Sequence, residues 1–530
     1  MPLSRRLFML ASASALAFPD AAFAARHHPR PKKTRQSPKV APTPVAKLTG
    51  NPLKLPPLVE PKAGETWELT AATASHEFVA GKPVDVAGYG GTYLGPAIRL
   101  KRGETTTARL ANTLNRPTNV HFHGLLVDSA ADGALASVAP GTSWETSLAV
   151  DQPAATLWYH AALRGQIGAD LTDGLAGMLI VEDPAAPVAG LPNTYGVDDF
   201  PLMLQDATLD DAGRPVYQPT TEAREHGVRG DRILVNGTLD ALVKVPQRPV
   251  RLRLVNAAKA RVFRIFLDDE RSFQLIATDG GYLAEPAEID TLVLAPGERV
   301  EIVIDFADGS ASMMSTPDDH DLRLGGRVQR LSDKLDKPFR IIAFEAEKDG
   351  KPHVDAPERL PAPPAPVQPA DARRRRFVLD VGWPQPGHDA GDDVSSDVPG
   401  KESRLPVVAS KAALPTGTPG LPVATINKSV YAAGRINDAV TFGTTELWEI
   451  VAPAMTLPFH VAGVQFRVIS EDGGPPRAWN RGPKDTVFVE TSVELLVSFS
   501  RHASAARPFL YASGIAEEED AGMMGAFTVE

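Results

Sequence analysis

The 530-residue sequence contains no cysteine. That absence removes disulfides, thiolate metal ligands and thiol nucleophiles together, so packing alone must stabilise the folded chain. Long apolar runs are scarce as well. Beyond the N-terminal segment nothing approaches the roughly 18 apolar residues that a spanning helix requires, so no membrane span is expected. Positive charge is not in excess either. The formal net charge of −10 argues against nucleic acid or an anionic membrane surface as the partner.

Proline and glycine are abundant instead, with 48 and 43 residues spread along the chain. They favour short strands joined by turns, and the length suggests about three domains once the tails are set aside. Period-2 rows agree. Val250, Leu252 and Leu254 alternate with Arg251 and Arg253; Val300, Ile302, Ile304 and Phe306 form a second row, and Val493, Leu495, Val497 and Phe499 a third. Each row reads as a strand burying one face, as in an all-β sandwich or Greek-key barrel.

The first residues are an address. Ser4-Arg5-Arg6-Leu7-Phe8-Met9-Leu10, the apolar run Leu7 to Phe18 and Ala22-Phe23-Ala24 form a signal peptide over 1–24, cleaved near Ala24. The alternative is a Sec signal that contains two arginines by chance. Ser4 before the pair and Phe8 after it favour the twin-arginine route, and hence a periplasmic mature protein. Residues 25–47 are basic and Pro-rich and read as a disordered tether, in which His27 and His28 are solvated residues rather than a metal site.

Arg109-Leu110-Ala111-Asn112 recurs as Arg253-Leu254-Val255-Asn256, and Ala139-Pro140-Gly141 recurs as Ala295-Pro296-Gly297, in the same order. Two domains of one kind follow. Proline-rich joints place the domains at 48–184, 193–350 and 373–530, with a linker at 353–372. A polar stretch from about Pro386 to Pro422 reads as a long surface loop.

Histidines stand out at His121-Phe122-His123-Gly124, Trp158-Tyr159-His160 and Leu457-Pro458-Phe459-His460. Residues two apart share a strand face, so His121 and His123 can reach one pocket. A lone His-x-His is weak, but its surroundings are not. The stretches Gly95 to Gly103, Asn119 to Leu125, Asp151 to His160 and Gly174 to Val181 resemble the first domain of bacterial multicopper oxidases. Ile233 to Gly237 and Leu294 to Arg299 resemble the second domain; Lys484-Asp485-Thr486 and Glu519 to Gly525 resemble the third. The resemblance runs from about Glu65 to Glu530 and implies three cupredoxin-like Greek-key β-sandwich domains.

The family holds a blue copper in its third domain and a trinuclear cluster between its first and third domains. Blue copper needs two histidines and a thiolate, with a weak axial methionine. Position by position, the resemblance places Leu457, Ser513, Glu518 and Met523 there, which leaves only the axial residue; Met523 then reads as core filling. In the cluster, Ala162, Ala462 and Ala512 replace all three ligands of one type 3 copper. The other type 3 copper keeps His123 and His160 but has Gly514 in its third place. The type 2 pair, His121 and His460, is complete. Asp132 and Glu519 match the acids the family uses for proton delivery, and without a cluster they read as hydrogen-bonding residues at the domain interface.

Three functions compete. The first is an envelope scaffold or binding protein resembling the exported, copper-free SufI/FtsP group, with envelope proteins and the cell-division machinery as partners. The second is a copper-dependent oxidoreductase with altered metal content. Copper storage is disfavoured, because only 9 Met are present and no Met-rich insert appears. The expected cofactor is none, or one copper or zinc ion at His121, His123, His160 and His460.

Overall fold

The structure is a computed structural model that describes residues 48–220, 226–318, 320–324, 327–331, 333–382 and 423–530. The signal peptide, the tether and the loop from Pro386 to Pro422 lie outside the described residues.

Strands dominate, and the described helices are short. In the N-terminal third, a sheet of Leu58–Val59, Ala97–Lys101, Ala176–Glu182, Ala155–His160 and His121–His123 faces a second sheet built around Thr66–Val79 and Thr105–Asn112. Thr66–Val79 shows why: its residues alternate between exposed and buried, so Trp67, Leu69 and Ala71 enter a core shared with Phe122, Leu157 and Leu179. The middle third pairs a seven-stranded with a six-stranded sheet, and the last third pairs two five-stranded sheets. Each pair encloses its own apolar core. The architecture is all-β, in three sandwiches.

The repeated Arg-x-x-Asn segments do identical work. Asn112 Nδ2 donates to the carbonyls of Arg116 and Val138, while its Oδ1 accepts from the Leu114 N–H. Asn256 does the same with Arg261, Leu294 and Ala258. The two Ala-Pro-Gly turns also correspond, since the N–H groups of Gly141 and Gly297 donate to the carbonyls of Asn112 and Asn256. The repeat is one strand-end corner used twice.

One expectation fails. The strands Pro249–Asn256 and Arg299–Asp305 bury both faces, not one. Arg251 and Arg253 are enclosed where the first and middle sandwiches meet; Arg253 pairs with Asp199, both arginines pair with Glu301, and Thr156 donates to Glu301 across the seam. Alternation of Val with Arg normally marks an exposed face. Here the charges are matched inside the protein, which makes their burial tolerable.

Candidate functional site

The strand His121–His123 carries both histidines on one face while Phe122 enters the first core. Antiparallel register sets His121 opposite His160 and His123 opposite Trp158. From the third sandwich, Leu457–Val461 brings His460 opposite Thr486 on one side and Ala512 on the other. The four imidazoles line one cavity of about 60 Å³. His121 Nε2 and His460 Nε2 are 3.4 Å apart, His123 Nδ1 and His160 Nε2 3.3 Å, and the rings of His123 and His460 stack at 3.7 Å. Candidate ligand atoms of His121, His123 and His460 all lie within 4.8 Å of one another, so this group can hold a metal ion.

The hydrogen bonds behind the rings decide where their lone pairs point. Asp132 Oδ2 lies 2.7 Å from His121 Nδ1. Burial opposes ionisation of Asp132, but the His121 imidazole and the N–H groups of Phe122 and Ala134 hold it below its ordinary value, so it accepts the Nδ1 proton. His160 Nδ1 faces the carbonyl of Ala161 at 3.0 Å, and His460 Nδ1 that of Asp485 at 3.1 Å. Both nitrogens are therefore donors, and Nε2 of each neutral ring keeps its lone pair. Burial drives the His123 imidazole well below its usual range, moves His160 down to about 3 and lowers His460, so these rings are neutral near pH 7. Lone pairs facing each other at such distances repel, and a cation between them removes the repulsion. The donor set therefore fits a metal ion that favours imidazole nitrogen.

Around the blue-copper position the replacement residues form a closed structure. Leu457 and Met523 are fully buried in the third core. The Ser513 hydroxyl donates to Glu518 Oε2 at 2.8 Å and accepts from the Ile515 N–H. Burial pushes the Glu518 carboxyl up to about 8, so it keeps its proton at neutral pH. Ala162, Ala462, Ala512 and Gly514 line the same cavity as the four imidazoles. Position 514 cannot regain a side chain without movement: a Cβ there would lie 2.9 Å from Pro458 Cγ and 3.0 Å from the Pro296 carbonyl oxygen.

Of the two acids, Asp132 bonds to His121, whereas Glu519 faces the cavity, its carboxyl pushed up to about 8 by burial and by Asp520. Three further residues carry the site. Arg299, from the middle sandwich, grips Asp485 with two bonds of 2.6 and 2.5 Å. Thr486 Oγ1 lies 2.9 Å from His123 Nε2 and 3.0 Å from His460 Nδ1. All three stand in motifs visible in the sequence, but their role depends on a pairing that joins positions 299 and 485. Gly124 explains the last residue of His-x-His-Gly. Its φ is +88°, and a Cβ would meet Arg299 Nη2 at 2.4 Å and Asp485 Oδ2 at 2.7 Å.

Three multicopper oxidase family profiles match residues 70–186, 198–318 and 402–530. The laccase-like multicopper oxidase CueO of Ochrobactrum sp. superposes with a TM-score of 0.76 at 32% identity, over 90% of this chain and 100% of that one. McoA of Aquifex aeolicus gives 0.75 at 26% identity, over 91% and 100%. The three sandwiches are thus cupredoxin-like. Cell division protein FtsP of Edwardsiella tarda is 35% identical over 90% of this chain and 92% of its own length. That of Xenorhabdus nematophila is 33% identical over 100% and 99%. The chain belongs to the multicopper oxidase family, and within it to the group that holds the cell division proteins FtsP.

Proposed function

We propose that the protein is a division-associated envelope scaffold of the FtsP type, working by protein contact rather than by oxidation. The observation that carries this reading is identity of 33–35% with proteins named for cell division along nearly their whole length. The chemistry agrees. A laccase passes electrons from substrate to cluster through a thiolate-bound copper, and Ser513 with Leu457 and the protonated Glu518 supplies neither thiolate nor imidazole. In this reading residues 1–24 direct twin-arginine export to the periplasm, 25–47 form a tether, and the folded domains span 48–184, 193–350 and 373–530, with 353–372 linking the last two. A fluorescent fusion of the full precursor, expressed in a host lacking its own FtsP, is expected to collect at the division site and to restore normal cell length. Uniform envelope fluorescence without restored length would sink the reading.

The residual histidines add one divalent ion, copper(II) or zinc, as a staple between the first and third sandwiches. Two nitrogens at about 2.0–2.1 Å from one ion and near the tetrahedral angle lie roughly 3.3–3.4 Å apart, which is the separation of His121 Nε2 from His460 Nε2. An ion bound only by the docked sandwiches stabilises that arrangement by mass action. Titrating zinc and copper(II) into chelator-treated protein is expected to show one equivalent bound and a higher Tm, both lost in His121→Ala and His460→Ala. No gain in Tm, or equal binding by both variants, would show the histidines to be relics.

A further inference from the structure

The Thr486 hydroxyl sits where all three sandwiches meet, and its hydrogen bonds leave no choice of direction. Asp485 takes one hydrogen bond from Arg299 on each of its two oxygens, the fork-to-fork geometry of a carboxylate that can only accept. Thr486 Oγ1, 2.8 Å from Asp485 Oδ1, must therefore donate its one proton there. Both oxygen lone pairs remain, and both are used. His123 Nε2 at 2.9 Å and His460 Nδ1 at 3.0 Å can bond to this oxygen only as N–H donors. His123 is thereby held as the Nε2–H tautomer, with its Nδ1 lone pair turned to His160. His460 is held as the Nδ1–H tautomer, with its Nε2 lone pair turned to His121. Asp279 of the middle sandwich fixes the start of the strand by accepting from the Thr486 N–H at 3.2 Å.

We propose that Thr486 is a positioning residue of this centre, one hydroxyl that sets the tautomers of two histidines from different sandwiches so that their lone pairs face the cavity. The inference rests on the metal-binding part of the proposed function for its purpose, but the tautomers can be read without a metal. The two rings depend on Thr486 unequally. His460 Nδ1 has a second acceptor, the Asp485 carbonyl at 3.1 Å. Beyond Thr486, His123 Nε2 approaches Asp485 Oδ1, an oxygen shared with Arg299 and Thr486, at the longer distance of 3.3 Å.

The test is long-range ¹H–¹⁵N spectroscopy of histidine-labelled, chelator-treated protein, comparing wild type with Thr486→Val, which keeps the shape without the hydroxyl, and Thr486→Ser, which restores it. Wild type and Thr486→Ser are expected to show His123 as Nε2–H and His460 as Nδ1–H. In Thr486→Val, His123 should become a tautomer mixture while His460 stays unchanged, and zinc affinity by calorimetry should fall about tenfold or more. An unchanged His123 spectrum in a folded Thr486→Val protein would overturn the proposal, as would the same disturbance in Thr486→Ser. If wild type binds no zinc, the metal reading falls while the apo spectra still decide the role of Thr486.

Discussion

Replacing Glu518 by glutamine is expected to stabilise the protein at neutral and alkaline pH and to change little in acid. Burial raises the folded-state carboxyl from its ordinary 4.5 to about 8; the Ser513 hydroxyl opposes the shift and Glu517 adds to it. The unfolded chain releases the same proton near 4.5. Between those values the folded protein holds one proton more than the unfolded chain, so stability falls as pH rises through the window and levels off above it. At about 1.4 kcal/mol per pKa unit, a rise from 4.5 to about 8 corresponds to an upper bound of about 5 kcal/mol. Effective screening around buried charges brings the expected gain to roughly 2–4 kcal/mol. The amide keeps an acceptor for Ser513 and cannot ionise. Thermal melts of both proteins across the range from about pH 4 to about pH 9 should coincide at the acid end and separate progressively toward the alkaline end. Glu519, also raised to about 8, keeps part of the slope in the single variant, and Glu518→Gln with Glu519→Gln should reduce it further, leaving the share of groups such as Asp170, which burial raises to about 6. A pH-independent difference, or a less stable Glu518→Gln at every pH, would refute the argument.

Changing Arg5 and Arg6 to lysine should leave precursor in the cytoplasm, because the twin-arginine receptor reads guanidinium pairs rather than charge; normal periplasmic accumulation on cell fractionation would make the signal Sec-type. Copper-loaded protein should oxidise neither phenols nor cuprous ion, and Ser513→Cys alone should not change this, because Leu457 and Glu518 still deny copper its imidazoles. Measurable laccase turnover by the unmodified protein would contradict that. Gly124→Ala should cost about 2–4 kcal/mol, since it adds strain at positive φ to a collision with the Arg299–Asp485 pair; urea denaturation with an unchanged midpoint would disprove it.

Much of the site is legible in the sequence. His121 and His123 share a face because strands have a period of two, and the resemblance to multicopper oxidases assigns a position to each lost ligand. The absence of cysteine already denies a blue copper its thiolate. Tertiary structure decided the rest, because the deciding contacts join residues far apart in the chain. Arg251 and Arg253 read as a solvent face until Asp199 and Glu301 are seen closing on them. Thr486 is an ordinary strand residue until two histidines converge on its hydroxyl. Gly514 reads as a missing ligand, and only Pro296 and Pro458 beside it show that the space for one has closed. Period and motif are local properties that any chain displays along its length. Burial of charge, choice of tautomer and loss of volume are set by neighbours that only the docked sandwiches supply.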